Sequence, residues 1–219
     1  MGKFHPAERY DKPDSFRTII KQSAEKYASK PLFKYIKKNN DIGEVSFTQF
    51  YNDVRAVGTA ALSMGLTDKR FAILAESRPE WVEAYVTALC IGGIAIPLDK
   101  ELMPDQLFNF IELAETEVLF YSGEYEDRVR EMAPGLPNVK YFVCFDSTTG
   151  RNDDRFRNYE DICANGRRLL FEGNNSYDKI RVDTSKLCAI IFTSGTTGTS
   201  KGVMLSQDNI LYCIYSSAN

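Results

Sequence analysis

Residues 71–121 read FAILAESRPEWVEAYVTALCIGGIAIPLDKELMPDQLFNFIELAETEVLFY, and this stretch decides the fold class. Three short apolar runs in it, Phe71–Leu74, Ile94–Ile96 and Val118–Tyr121, are predicted to be strands, separated by two segments with helical spacing. Strands recur at a period of roughly 23 residues, as parallel βαβ units require. Their residues are continuously apolar, which is typical of strands covered on both faces. The stretch therefore predicts an α/β fold, a doubly wound, mostly parallel sheet with flanking helices.

Helix and strand ends inside this stretch are also marked. Ser77–Glu80 (SRPE) has the spacing of a capping box and predicts a helix that begins there with Ser77 as its N-cap. The pair Gly92-Gly93 is predicted to end that helix. Pro97 is predicted to end the following strand, because proline cannot donate to a central ladder. Pro104 is predicted to open the next helix.

The same alternation extends outward in both directions. We predict further helices at residues 14–29, 50–64, 125–132 and 159–171, and further strands at 32–36, 45–47, 141–145, 187–192 and 203–205. Polar loops are expected at 147–158 and 172–183, and Ser206 is predicted to cap a last helix. We divide the chain into an N-terminal α/β subdomain, residues 1–183, and a strand–loop–strand–helix segment, 184–219, that begins the next part of the same domain. Because the chain stops inside a helix pattern, we expect it to be a piece of something longer.

Composition limits the function. The 219 residues carry a net charge of -3 and a pI near 5.4, which argues against a nucleic-acid partner because such proteins usually show a basic face. No apolar run approaches the roughly 18 residues that a transmembrane helix needs. The N-terminus lacks the apolar core of a signal peptide, so a cytoplasmic location is expected.

Cysteine and histidine usage excludes other classes. The five cysteines include no CxxC pair, and we interpret them as small buried residues in a reducing compartment rather than as disulfides or metal ligands. His5 is the single histidine and lies near the terminus. A Ser-His-Asp or Cys-His catalytic unit within this chain is therefore close to excluded.

A loop rich in glycine and hydroxyl groups follows the predicted strand 187–192. Residues 193–202 read TSGTTGTSKG. Glycine lets the backbone approach a ligand closely, hydroxyl groups donate hydrogen bonds to oxyanions, and lysine adds a positive charge. Each hydrogen bond to a charged oxygen contributes about 1.5–3 kcal/mol, so a few of them could hold a polyphosphate. The loop predicts a site for the phosphates of a nucleotide, in preference to a bare Gly/Thr hairpin loop.

The loop does not match the Walker P-loop, G-x-x-x-x-G-K-[ST]. Gly195 and Lys201 fit that pattern, but Ser200 stands in place of the second glycine and Gly202 in place of the Mg²⁺-binding hydroxyl. The segment after the loop is predicted to be a strand, whereas a Walker loop runs into a helix. A dinucleotide site is also disfavoured, because the chain contains no G-x-G-x-x-G.

The loop resembles the signature [ST]-[ST]-G-[ST]-T-G-x-P-K-G of the adenylate-forming (AMP-binding) enzyme superfamily, with only Ser200 differing, in the proline place. Val203–Ser206 continues the resemblance, and Gln207 stands where the family often has histidine. Segments 45–50 and 89–99 look like other blocks of the family. Segments 76–81 and 97–101 look most like those of long-chain acyl-CoA synthetases, the fatty acid–CoA ligases. The resemblance covers about residues 30–215 and implies the truncated N-terminal part of an acyl-CoA-synthetase-like fold.

Members of this family activate a carboxylate with ATP and Mg²⁺ as an acyl-adenylate, and a thiol such as that of CoA then displaces AMP. The resemblance implies that the loop binds the ATP phosphates. It assigns hydroxyl donors to Thr193, Ser194, Thr196 and Thr197, backbone amides to Gly195 and Gly198, and the charge to Lys201. Thr193 would also help to hold Mg²⁺. The implied partners are a small carboxylic acid, ATP and CoA.

Several alternatives stay open. The activated acid could be one other than a fatty acid, and the acceptor thiol could belong to a carrier protein. The chain could instead be a non-catalytic nucleotide-binding module, or a kinase or NTPase with a modified P-loop, although Gly202 argues against the latter. Catalytic residues cannot be assigned, because those of the family lie beyond residue 219. The fragment by itself is therefore expected to be catalytically incomplete.

Overall fold

The computed structural model describes residues 11–37, 40–147, 153–193 and 201–218. Its strands are β1 (Pro31–Ile36), β2 (Ile42–Ser46), β3 (Arg70–Leu74), β4 (Ile94–Pro97), β5 (Val118–Tyr121), β6 (Tyr141–Cys144), β7 (Phe156–Asn158), β8 (Leu187–Thr193) and β9 (Lys201–Ser206). Its helices are α1 (Phe16–Tyr27), α2 (Phe47–Ser63), α3 (Pro79–Cys90), α4 (Pro104–Leu113), α5 (Glu126–Met132), α6 (Tyr159–Phe171), α7 (Ser176–Lys179) and α8 (Gln207–Ala218).

A mixed, mainly parallel sheet lies at the centre of the molecule. Its strand order is β7-β6-β5-β3-β4-β8-β9, and each neighbouring pair is parallel except β8 and β9, which are antiparallel. The chain starts in the middle at β3, adds β4 on one side, and returns to place β5 on the other side. β1 and β2 form a separate antiparallel hairpin. The predicted doubly wound α/β fold is confirmed.

Helices cover both faces of the sheet and create two apolar layers. In β3, Phe71 and Ile73 belong to the layer beneath α2, α3 and α6, whereas Ala72 and Leu74 belong to the layer beneath α4 and α5. This alternation follows from the two-residue period of a strand. Because both faces are buried, β3 is apolar at every position after Arg70, as the sequence predicted.

The predicted capping box at Ser77 is wrong. Helix α3 begins at Pro79, and its N-cap is Arg78, which is extended (φ -150°, ψ 155°) and makes no side-chain cap. The reason is steric: the ring of a proline disfavours the helical conformation for the residue before it. Arg78 therefore cannot be the first helical residue that a cap at Ser77 would require. Pro79 opens the helix instead, at the position where its missing N–H costs nothing.

Two short elements lie within the loops that the sequence predicts to be irregular. β7 adds a three-residue edge strand to β6, with Phe156 buried. α7 is a single turn that buries Tyr177 between α2 and α3. In each case one aromatic residue in a polar stretch was the available signal.

All five cysteines lie in the described part of the chain and are free. Cys90, Cys144, Cys163 and Cys188 are buried, and Cys213 is exposed on α8. Burial raises the pKa of Cys90 and Cys188 to about 12 and that of Cys144 to about 11. Four of the cysteines are thus small core residues, as predicted, whereas the prediction of burial is wrong for Cys213.

Candidate functional site

The base of the glycine- and hydroxyl-rich loop is a two-stranded antiparallel ribbon. Thr193, the last residue of β8, pairs with Lys201, the first residue of β9, and the Thr193 Oγ1 lies 3.5 Å from the Lys201 carbonyl oxygen. Both residues are exposed. Phe192 stacks on Phe110 of α4, with ring centroids 4.2 Å apart and planes 9° apart. The two ends of the loop are therefore held side by side on a packed base.

Of the predicted site residues, Thr193 and Lys201 are thus brought together. The remaining ones lie outside the described residues: Ser194, Gly195, Thr196, Thr197 and Gly198. Their roles as phosphate donors stay predictions.

This base lies at the carboxyl edge of the sheet. β3, β4 and β8 run parallel, so their carboxyl ends share one edge. β9 runs in the opposite direction, so its first residue, Lys201, lies at the same edge. In open α/β sheets, ligands bind in crevices outside the carboxyl ends of the strands. The position of the loop is therefore the one where this architecture places a ligand.

A cleft of about 550 Å³ opens at the same edge, after β3 and β4. The β1–β2 hairpin forms one wall with Phe33 and Tyr35, and Trp81 of α3 forms part of another. Trp81 stacks on Tyr85, with ring planes 7° apart. Lys100 contributes a positive charge. A cleft of this volume with aromatic walls and a few charged groups is typical of small-molecule sites, and sequence reasoning missed it because its walls come from segments far apart in the chain.

Arg78 fixes the loops at this edge. Its guanidinium donates to Glu80 (2.9 Å) and to Asp146 (2.9 Å), which follows β6, and it lies over the Phe145 ring. The same Asp146 oxygen accepts a hydrogen bond from the Gly123 amide after β5, at 2.8 Å. The loops that follow three neighbouring strands, β3, β5 and β6, are therefore connected by hydrogen bonds. Burial by itself would lower the pKa of Arg78, but these hydrogen bonds outweigh it and raise the pKa.

A buried carboxyl group lies at the junction of α2, α3 and α6. Glu83 is 5% exposed and accepts a hydrogen bond from the Tyr159 hydroxyl at 2.8 Å. Burial is the main cause that raises the pKa of Glu83 to about 7; the hydrogen bond from Tyr159 opposes this shift, and the nearby carboxylate of Asp53 adds to it. Sequence reasoning missed this group because the helix was predicted from its apolar residues, and nothing in the local pattern indicates that the Glu83 side chain is buried.

The described residues contain no group of three or more His, Cys, Asp and Glu side chains arranged to hold a metal ion. Within the same residues, no helix is both long enough and apolar enough to cross a membrane. The hydroxyl of Thr193 is a hard oxygen ligand of the type that Mg²⁺ accepts. A single protein ligand is compatible with Mg²⁺, which usually keeps several waters and binds substrate phosphates.

Comparison with known proteins identifies the family. A sequence model described as AMP-binding enzyme matches residues 20–219, nearly the whole chain. The chain therefore belongs to the AMP-binding enzyme family. This confirms the resemblance drawn from the loop and its flanking strands.

Among curated relatives, the chain is 25% identical over 205 residues to the long-chain-fatty-acid–CoA ligase ACSBG1 of Rattus norvegicus, covering 91% of this chain and 28% of the relative. It is 26% identical over 178 residues to fatty acyl-CoA synthetase A of Dictyostelium discoideum, covering 80% of this chain and 26% of the relative. The chain thus spans less than a third of the length of these relatives.

Solved structures show the same fold. The adenylation domain of a carboxylate reductase from Mycobacterium chelonae superposes with a TM-score of 0.72 at 19% identity, covering 90% of this chain and 35% of the other. An acyl-CoA synthetase of Brucella canis gives a TM-score of 0.70 at 16% identity, covering 93% and 35%.

Proposed function

We propose that this chain is part of an ATP-dependent, AMP-forming acid–thiol ligase that activates a fatty acid as its acyl-adenylate and transfers it to CoA. The observation that carries the proposal is the match of residues 193–202 to the family signature, with both ends of the loop at the carboxyl edge of the sheet. The activities named for the curated relatives support a long-chain fatty acid as the substrate class.

The residues at this edge support a mechanism in which the protein positions the ATP phosphates and neutralises their charge. The antiparallel base would hold the loop so that its amides and hydroxyls converge on the ATP phosphates, and Lys201 would neutralise charge on the departing pyrophosphate. Thr193 is the residue that would help to hold Mg²⁺, which when bound supplies further charge neutralisation at the phosphates. We place a second substrate of the same reaction in the adjoining cleft, because its aromatic walls suit an apolar or planar group. A cytoplasmic location, supported by the four buried free cysteines, is part of the proposal.

A pyrophosphate-release screen tests this function. The complete polypeptide that contains this chain would be supplied with ATP, Mg²⁺ and a panel of carboxylic acids, with and without CoA. We expect release driven by long-chain fatty acids, and thioester formation only when CoA is present. Pyrophosphate release driven by an amino acid would contradict the assignment of a fatty acid as substrate, but it would still support adenylate formation. Absence of ATP consumption with every acid would contradict the ligase.

A further inference from the structure

Gln207 is a buried polar residue at the corner where β9 turns into α8. It is the first residue of α8 and is 1% exposed. Its neighbour Ser206 caps the helix, since the Ser206 Oγ accepts a hydrogen bond from the Asn209 amide at 3.2 Å. An amide side chain this deeply buried needs hydrogen-bond partners, because an unpaired buried polar group is costly.

Its two partners belong to helices distant in sequence. The Gln207 Oε1 accepts a hydrogen bond from the Phe16 amide at 2.9 Å, and its Nε2 donates to the Leu89 carbonyl at 3.2 Å. Phe16 is the first residue of α1, and Leu89 is the last residue but one of α3. Helix ends leave such N–H and C=O groups without intrahelical partners. One side chain therefore satisfies a group at the end of each helix, and only one orientation of its amide can do so.

The corner lies at the end of β9 that is farthest from the loop. In the β8–β9 register, Leu187 pairs with Ser206 at one end and Thr193 pairs with Lys201 at the other. The Asp208 amide also donates a hydrogen bond to the Thr184 carbonyl at 2.9 Å. The backbone at the start of α8 is therefore also bonded to the segment that leads into β8. Since the side-chain period of a strand is two residues, a one-residue slip of β9 would turn Lys201 to the other face.

We propose that Gln207 is a positioning residue for the nucleotide loop: its contacts with α1 and α3 hold β9 in the register that places Lys201 opposite Thr193. This inference rests on the proposed nucleotide-binding function of the loop. Gln207 acts through β9 and does not itself contact the nucleotide. The first turn of α3 lines the cleft through Trp81, and its last turn contains Leu89, which accepts the hydrogen bond of Gln207. Gln207 therefore also connects the helix that forms the cleft wall to the strand that follows the loop.

The test compares Gln207→Met with two control variants, each made in the complete polypeptide that contains this chain. Methionine keeps the approximate length of the side chain and removes both hydrogen bonds. Gln22→Met makes the same change at an exposed position on α1. Val129→Ala lowers stability through the apolar layer beneath α5, away from β9. Amide hydrogen exchange is measured in peptides that cover residues 201–206 and 11–20, together with the affinity for ATP and Mg²⁺ under conditions where each variant is folded.

We expect Gln207→Met to exchange about tenfold faster in both peptides, as the loss of a buried hydrogen bond predicts, and to bind ATP at least fivefold more weakly. Gln22→Met should match the unchanged chain, and Val129→Ala should leave exchange at 201–206 and ATP affinity within twofold. The proposal is overturned if Gln207→Met leaves exchange at 201–206 unchanged, or if Val129→Ala reproduces its effects. If the unchanged polypeptide does not bind ATP, the proposed nucleotide function fails, and the exchange data alone decide whether Gln207 holds β9.

Discussion

Glu83 is a carboxylic acid enclosed by three helices, and its protonation makes the stability of the fold depend on pH. Burial raises its pKa to about 7 in the folded chain, against about 4.3 for an unfolded glutamate. Below pH 4.3 both states bind the proton. As the pH rises from 4.3 to 7, the folded state keeps a proton that the unfolded state has released, so stability falls through this window by on the order of 3 kcal/mol.

We therefore predict that Glu83→Gln stabilises the chain at pH 8 and has little effect at pH 4.5. The glutamine can still accept the hydrogen bond of Tyr159 and carries no charge. Urea unfolding at several pH values measures the difference between variant and wild type. Glu112→Gln, at an exposed position on α4, controls for the loss of one negative charge. A difference for Glu83→Gln that does not grow with pH would show that Glu83 is not protonated in the fold.

The site residues mark the limit of sequence reasoning at this scale. The loop was found because glycine, hydroxyl and lysine chemistry is concentrated in ten consecutive residues. Glu83 and Gln207 were not assigned these roles, because their importance depends on partners more than 70 residues away, such as Tyr159 for Glu83 and Phe16 for Gln207. Local sequence does not contain that information.

At the scale of elements, α2 and α6 cross at unusually close range. A Cβ added at Gly166 would lie 1.9 Å from the carbonyl oxygen of Ala56, and that neighbour is backbone. A Cβ at Gly58 would lie 2.5 Å from the ring of Tyr177. These two glycines let α6 and α7 pack directly against α2. Neither was predicted, because a glycine inside a helical pattern only lowers local helix propensity and does not name its neighbour.

We predict that Gly166→Ala destabilises the chain by about 2–3 kcal/mol, because the two helices must move apart and the gain in helix propensity is smaller. Chemical denaturation measures the change. Asn165→Ala, on the next position of α6 and half-buried, should shift stability by no more than about 0.5 kcal/mol. An equal or higher stability for Gly166→Ala would contradict the close crossing of α2 and α6.

Element types were otherwise well predicted where the apolar pattern was strong, either periodic, as in α4 and α6, or continuous, as in β5. The wrong predictions have two causes: competition between two local rules, and a pattern that is too short to detect. The S-x-x-E pattern at Ser77 was overridden by the steric effect of Pro79, and the three-residue β7 gave too short a pattern to detect.

For the whole molecule, the two apolar layers enclose four of the five thiols, and this makes the fold testable in solution. We predict that a thiol reagent in native buffer modifies Cys213 rapidly and the other four cysteines only as fast as the chain opens. All five should react at once in denaturant. Cys213→Ser should remove the rapid phase, and rapid reaction of two or more cysteines in the native chain would contradict the packing of the layers.

The fold class followed from residues 71–121, because an alternation of buried strands and helices permits few topologies. The order of strands and the place of β8 between β4 and β9 were not predictable, since long-range pairing leaves no periodic trace. We propose that the boundary near residue 183 marks the start of the next part of the same domain.

The most direct test of the account is the rate of ATP-dependent acyl-adenylate formation by the complete polypeptide, compared between wild type and Lys201→Ala. We predict a fall of about 10²–10³-fold, because one charge-stabilising donor at the phosphates is lost. Lys179→Ala, a change of the same kind on α7, should leave the rate unchanged. An unaltered rate in Lys201→Ala would contradict the claim that this loop holds the phosphates of ATP.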